Sequence, residues 1–264
     1  LTDKLPRCRG SRMVEEIHGV RTVWLKVHKT AKSSSAVRIL SWLHFEWKVL
    51  TTSKRNFKRP EVVIASSLSI LSIISGFLLA SYYKARFILE IRDIWPLSAM
   101  QLGGYSSKHP FILLLGKLEK FGYRKADVVV GTMPNLIEHV QEVEPKYKAC
   151  VCIPQGINQE LLNDVEPLSE QYIAETFTPN TFKVAYAGTI NPNNPIEVLL
   201  EAVSKMPDEE QVEAYILGSG SMLETYKEKY ASCKRIKFIP PIPKKQVKAF
   251  LQQIDLCFDS VESE

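Results

Sequence analysis

The sequence predicts an α/β protein built as two doubly wound domains with parallel sheets, and three observations predict it. From Arg59 onward, short apolar runs alternate with longer helix-like segments. The alternation pauses over Asn163 to Thr181, an acidic and weakly periodic stretch, and then restarts on the same plan. Repeated strand–helix units imply parallel strands covered by helices, and two such series imply two domains flanking a cleft. The boundaries expected are 1–165 for a first domain, 166–181 for a linker and 182–264 for a second domain. With 264 residues, 45% hydrophobic and 24% charged, the chain is long and apolar enough to bury such cores.

Each element has its own signal. Glu61 to Ala65 is a strand candidate, with Ser66 and Ser67 as caps for an apolar helix that runs to Ala80. The run Leu68 to Ala80 contains Ser69, Ser72, Ser75 and Gly76 and is too short to span a bilayer, so it reads as a buried helix. A strand over Arg86–Ile91 ends in the polar pair Arg92-Asp93. Pro110 opens a helix to about Arg124, with Leu113, Leu114, Leu118 and Phe121 as its apolar stripe. Strand Asp127–Gly131, helix Asn135–Val143 and strand Ala149–Ile153 complete the first series. The second series reads as strands 182–187, 212–217, 236–239 and 254–258 with helices 195–205, 221–231 and 244–252.

Charge is unevenly distributed. Residues 1–60 hold fourteen Lys/Arg and four Asp/Glu, a net of +10, and the remaining residues hold twenty and twenty-five, a net of −5. Trp24, Trp42, Phe45, Trp47 and Phe57 accompany the basic stretch. This combination suits an anionic membrane surface, where each nearby cation contributes about 1 kcal/mol; a solvated basic face on an ordinary domain reads the same. No recognition motif accompanies the charge, so nucleic acid is not expected as a partner. Five scattered cysteines (Cys8, Cys150, Cys152, Cys233 and Cys257) do not make a disulfide scaffold, and a reducing, cytoplasmic compartment is expected. Cys150 and Cys152 share one face of a strand and read as small core residues.

In open parallel sheets, ligands bind at the carboxyl ends of strands. Here that rule selects Tyr186-Ala-Gly-Thr189, where a glycine permits close approach of a phosphate and a helix N-terminus follows. It also selects Gly218-Ser-Gly220, which alone is a generic tight turn, and the proline-rich loop Phe238 to Pro243. In the first domain it selects Glu90 to Pro96, where Arg92 and Asp93 beside a buried strand end require a partner or a purpose. They either pair with each other or cap the next helix, or one of them faces the cleft and handles an acceptor hydroxyl.

The segments Glu90-Ile-Arg-Asp-Ile-Trp-Pro96, Arg124-Lys-Ala-Asp-Val-Val-Val130, Ile153-Pro-Gln-Gly-Ile-Asn158, Ala185-Tyr-Ala-Gly-Thr189 and Phe238 to Val247 occur in an order that resembles family 4 glycosyltransferases. Among these, the chain looks like the bacterial enzymes of O-antigen and capsule synthesis, including the fucosamine-transferase type. The resemblance runs from about Glu15 to Phe258. It implies a GT-B fold and retaining transfer from a nucleotide-sugar, a UDP-sugar first of all, to a lipid-linked or other glycan acceptor. It implies neither a metal nor a further cofactor, and a location on the inner face of the cell membrane. By position, Gly188 and Thr189 match the loop that approaches the donor phosphates, Gly218 and Gly220 the turn lining the same pocket, and Ile242 the residue whose backbone reads the base. Arg92 and Asp93 fall where many relatives place a His-Asp pair near the reacting centre, and Asp93 is the candidate for orienting the acceptor.

The departures are specific. Many relatives carry an Arg directly after the second-domain glycine and a Lys five residues further on; Thr189 and Asn194 stand there in this chain. Helix N–H groups, or Lys244 and Lys245, are then the candidates for neutralising a diphosphate. Pro240 replaces the glycine usual in the base-reading loop, and Gln155 opens the strand end that usually reads Asn-Gly-Ile-Asp. Relatives also begin with a strand and glycine-rich loop, and continue to two glutamates eight positions apart. Neither is found here, so a fragment with little transfer activity of its own is expected. Glu201 and Glu209 have that spacing but read as solvated acids. Two alternatives are a sugar-nucleotide epimerase of the same architecture, which His18, His28, His44, His109 and His139 serve poorly, and a non-catalytic sugar-nucleotide or membrane-binding module.

Overall fold

A computed structural model describes residues 10–27, 35–52, 58–67, 69–156, 159, 163–192, 194–207 and 209–259. Cys8, His28, Phe57, Leu68, Ile157, Asn158 and many of the basic residues of 1–60 lie outside them. The chain divides into two compact units, 1–155 and 156–264.

The first unit opens with an antiparallel hairpin, β1 (Arg12–Ile17) and β2 (Val20–Leu25). Its turn is His18-Gly19, both at positive φ (50° and 76°), the backbone twist that two-residue hairpins favour. Helix α1 (Ser35–Thr51) follows. Then come β3 (Val62–Ser66), α2 (Ser72–Tyr83), β4 (Arg86–Ile91), α3 (Leu97–Gly103), α4 (Pro110–Lys125), β5 (Val128–Gly131), α5 (Leu136–Val143) and β6 (Cys150–Cys152). Strands β3-β4-β5-β6 form a parallel sheet in that order.

Helix α4 shows how local chemistry sets an element. Pro110 sits in its first turn, the His109 ring accepts the Phe111 amide at 3.2 Å, and Arg124 and Lys125 occupy the last turn. Its inward stripe is Ile112, Leu115, Glu119, Gly122 and Tyr123, displaced from the expected stripe: Leu113 and Leu114 are exposed. Two glycines let α2 and α4 lie close on the sheet, and Gly122 also brings α4 against α2. A Cβ at Gly76 would lie 2.6 Å from the Ala65 Cβ, and one at Gly122 would lie 2.9 Å from both Ile73 and Leu89. The apolar helix begins at Ser72 rather than directly after Ser67, because Ser66, Ser67 and Ser69 hold a loop: Ser72 donates its hydroxyl to the Ser66 carbonyl at 2.8 Å.

The second unit contains α6 (Glu170–Thr176), β7 (Phe182–Thr189), α7 (Glu197–Ser204), β8 (Val212–Ser219), α8 (Leu223–Lys229), β9 (Ile236–Ile239), α9 (Lys244–Leu251) and β10 (Leu256–Cys257). Its parallel sheet has the order β10-β7-β8-β9. Val184, Tyr186, Ala214 and Ile216 pack on one face against α7 and α8. Ala185, Tyr215 and Leu217 pack on the other against Phe177 and Phe250.

The stretch expected to be a linker, 166–181, therefore holds a packed element. Ser169 caps α6 by accepting the Tyr172 amide at 3.1 Å. Tyr172, Ile173 and Phe177 recur at helical spacing and join the second core. A polar clasp fixes the following turn. Glu213 accepts hydrogen bonds from Tyr215 Oη (2.6 Å) and Thr178 Oγ1 (2.9 Å), and Lys237 lies 3.1 Å away. Burial opposes ionisation of Glu213, yet these three partners outweigh it and hold its carboxyl below the ordinary range.

A carboxyl depressed in the folded state contributes stability above its unfolded pKa, about 4.3, and loses it as pH falls through the folded value. Acid titration followed by denaturant unfolding is expected to show this loss below about pH 4, and Glu213→Gln is expected to flatten that part of the slope.

Candidate functional site

Every site residue expected from the sequence falls at the carboxyl end of a parallel strand or in the loop just beyond it. In the second unit β7 and β8 run in register to their ends, with Gly188 opposite Gly218 and Thr189 opposite Ser219. Ala187, Gly188 and Thr189 are exposed, so this edge lies open rather than beneath side chains. The glycines are required by the strands themselves. A Cβ at Gly218 would stand 1.9 Å from the Gly188 carbonyl oxygen, and one at Gly220 the same distance from the Ile190 carbonyl oxygen. At the Gly188–Gly218 pair backbone faces backbone, a short floor between flanking side chains that a flat or anionic group can reach.

The turn at Thr189 is fixed by side chains. Its carbonyl accepts Tyr186 Oη at 2.9 Å and Asn194 Nδ2 at 2.8 Å. Burial pushes the Tyr186 phenol above its ordinary range, so it remains a donor at neutral pH. The Ile190 amide is committed to the Ser219 carbonyl at 3.0 Å. Amide directions alternate along a strand, so the Thr189 N–H faces the opposite edge, where the pairing of β10 with β7 stops at Cys257–Ala185. Asn194 thus serves the turn as a structural donor.

Beyond β9 the chain reads Pro240-Pro241-Ile242-Pro243. Proline has no N–H, so Ile242 carries the single amide donor of those four residues, while its side chain packs against the second core. Of the two lysines named as candidates, Lys245 is paired with Asp164 at 2.8 Å, and Lys244 is exposed in the first turn of α9.

In the first unit Arg92 and Asp93 directly follow β4, and both are exposed. They are not ion-paired to each other among the described residues, and α3 has Pro96 at its cap with no side-chain bond, so neither structural explanation accounts for them. What lies beneath them could not be read from the sequence. The Ser67 hydroxyl, at 1% exposure, accepts the Arg92 amide at 3.0 Å, and the Ser67 amide donates to the Glu90 carbonyl at 2.8 Å. Glu119, at 4% exposure, accepts Tyr123 Oη at 3.0 Å and meets His139 Nε2 at 2.7 Å. Burial, and then the Glu119 charge, pushes the Tyr123 phenol far above its ordinary range. A cavity of about 10 Å³ among Ser67, Asp93, Trp95, Glu119 and Tyr123 has room for about one water. The Trp95–Pro96 peptide is cis, and Trp95 meets Trp42 edge-on at 5.9 Å.

Among the described residues no group of three His, Cys, Asp or Glu side chains is placed to hold a metal, and no helix is long and apolar enough to cross a membrane.

No family model matches the sequence, and no curated protein matches it either. Solved structures do resemble it. Sucrose-phosphate synthase from Thermosynechococcus elongatus superposes with a TM-score of 0.70 at 16% identity, over 94% of this chain and 61% of that one. OtsA superposes with a TM-score of 0.63 at 9% identity, over 84% and 57%. HepE of Anabaena, in complex with UDP, gives 0.61 at 15% identity, over 85% and 59%. At these identities the likeness is one of fold, and the fold is of the GT-B type. The chain spans about three-fifths of the length of these structures.

Two substitutions separate scaffold from candidate chemistry. Gly218→Ala is expected to destabilise the second unit by about 1–3 kcal/mol, because the added carbon cannot be placed without moving a strand. Asp93→Asn, at an exposed position with no ion pair among the described residues, is expected to change stability by no more than about 0.5 kcal/mol. Denaturant unfolding of both variants measures the difference.

Proposed function

We propose that this chain is part of a retaining glycosyltransferase that moves a sugar from a nucleotide-sugar, a UDP-sugar by preference, to a hydroxyl of a lipid-linked glycan. The open glycine floor where β7 and β8 end carries the proposal. The diphosphate lies against Gly188 and Thr189, the turn Gly218–Gly220 lines the same pocket, and the Ile242 backbone reads the base. Solved structures of similar fold support the donor class, since those of HepE hold UDP, or UDP-glucose. In transfer, the bond between the anomeric carbon and the diphosphate oxygen breaks and the acceptor oxygen takes its place on the same face. The hydroxyl proton passes to the departing phosphate. Arg92 and Asp93, both exposed, orient the acceptor; proximity and fixed dipoles then lower the barrier. His139 is held by buried Glu119, which leaves it unsuited to the acid–base work of an epimerase.

The phosphate test follows from the departures. Thr189→Arg together with Asn194→Lys restores the basic pair that many relatives carry. Calorimetric titration is expected to show UDP binding tightened about tenfold, or about 1.4 kcal/mol, with uridine binding unchanged. Unchanged UDP affinity, or an equal gain for uridine, argues against a diphosphate at this turn.

For the acceptor we propose that the first unit rests on the anionic inner face of a membrane. Besides the net +10 of residues 1–60, α1 exposes Leu40, Leu43 and Trp47 on one side, each at least half exposed. Charge and apolar contact together give such docking its strength. Sedimentation with phosphatidylglycerol vesicles is expected to carry the chain down, phosphatidylcholine vesicles far less, and Trp47→Ser to weaken capture about fivefold. Equal capture by both lipids contradicts the proposal.

A further inference from the structure

Among its described residues, helix α1 fully buries one side chain, and that side chain is a carboxylic acid. Glu46 is 8% exposed, whereas Ile39, Trp42, Val49 and Leu50 are half-buried. Positions 39, 42, 46, 49 and 50 recur at helical spacing, so Glu46 sits at the centre of an otherwise apolar stripe. Across from it stands Ser75 of α2, 5% exposed, whose hydroxyl donates to one carboxyl oxygen. The other oxygen, Oε1, is buried and has no hydrogen-bond partner among the described residues. A buried carboxylate is costly unless it is paired and hydrogen-bonded, and a neutral carboxyl costs far less.

No cation pairs with Glu46 among the described residues. Helix α2 carries no charged residue, and its ionisable groups are Tyr82 and Tyr83 at its far end. On α1 itself, Lys48 gives its amine to the Ser11 and Lys26 carbonyls, and His44 lies against Trp47. The hairpin brings Arg12, Glu16 and Arg21, all exposed, and Glu15, which accepts the Trp24 indole N–H. The loop that touches Trp42 brings Arg92 and Asp93, both exposed. Burial thus outweighs the Ser75 hydrogen bond and pushes the Glu46 carboxyl above its ordinary value.

We infer that α1 is a latch worked by one proton: it closes on α2 while the Glu46 carboxyl is neutral and loosens when that proton leaves. The latch reaches the loop that carries Arg92 and Asp93. About one turn before Glu46, Trp42 meets Trp95 edge-on at 5.9 Å, and Trp95 stands two residues after Asp93. Leu43 and Trp47, exposed on α1, belong to the same helix. Loosening α1 therefore moves its outer surface and its contact with the loop together. Because closure takes up a proton, it is strongest below the open-state pKa, about 4.3. It then weakens by up to about tenfold per pH unit until pH passes the closed-state value. No sugar chemistry enters this linkage, which is independent of the transfer reaction.

Hydrogen exchange of α1 peptides, read by mass spectrometry from about pH 5 to about pH 8 and corrected for the chemical exchange rate, tests this. Protection of α1 is expected to fall at least about threefold across that range, with residues 91–100 falling in step and β8 unchanged. Glu46→Gln and Glu46→Leu, neutral at every pH, are each expected to keep α1 protection level. Protection of α1 that ignores pH, or that falls as far in both neutral variants, overturns the inference. So does a loss of α1 protection at every pH in both variants, since that means an ionised carboxylate held by a partner. If α1 loosens while residues 91–100 keep their protection, the coupling to the loop is overturned.

Discussion

At the carboxyl end of β8 the backbone lies so close to that of β7 and the residue after it that Gly218 and Gly220 have no room for a side chain. A methyl group on Gly218 or Gly220 would sit 1.9 Å from a carbonyl oxygen, and the proposed donor site depends on this constraint. The register between Gly188 and Gly218 keeps the strands parallel to their last residues. The cores on both faces hold that register through Tyr215, Ile216 and Phe250, all fully buried. Two side chains, Tyr186 and Asn194, then fix the Thr189 carbonyl. The resulting surface is open, and its peptide groups can meet an anion.

The first unit reaches the same end by other means. Its exposed pair, Arg92 and Asp93, stands on a buried polar base in which Ser67 joins the ends of β3 and β4. Glu119, Tyr123 and His139 satisfy one another below it. Burying a carboxylate is expensive unless it is paired and hydrogen-bonded. Their shared bonds meet that cost and at the same time fix α4 and α5 beneath the strand end.

The parallel strands were legible in the sequence because each is a short run of Val, Ile, Leu or Ala bounded by turn residues. The loops carrying the candidate site were legible for the same reason, since they are simply where those runs stop. The hairpin β1–β2 carries a turn signal, His18-Gly19, but charged residues at Arg12, Glu15, Glu16 and Arg21 blur the alternation that would mark its strands. Helix α6 was missed because its acidic surface outweighed three inward residues, Tyr172, Ile173 and Phe177. The base of the first site was unreadable for a different reason. Ser67, Glu119 and Tyr123 are far from Asp93 in the chain, and only packing gathers them around one cavity with it.

The most direct measurement is backbone amide NMR of the chain during a titration with UDP. The account predicts that Gly188, Thr189, Ser219, Gly220 and Ile242 shift together and saturate at one concentration, with the amino ends of the same strands unmoved. Saturable shifts confined to another part of the molecule, or no shifts at any reachable concentration of UDP, would contradict it.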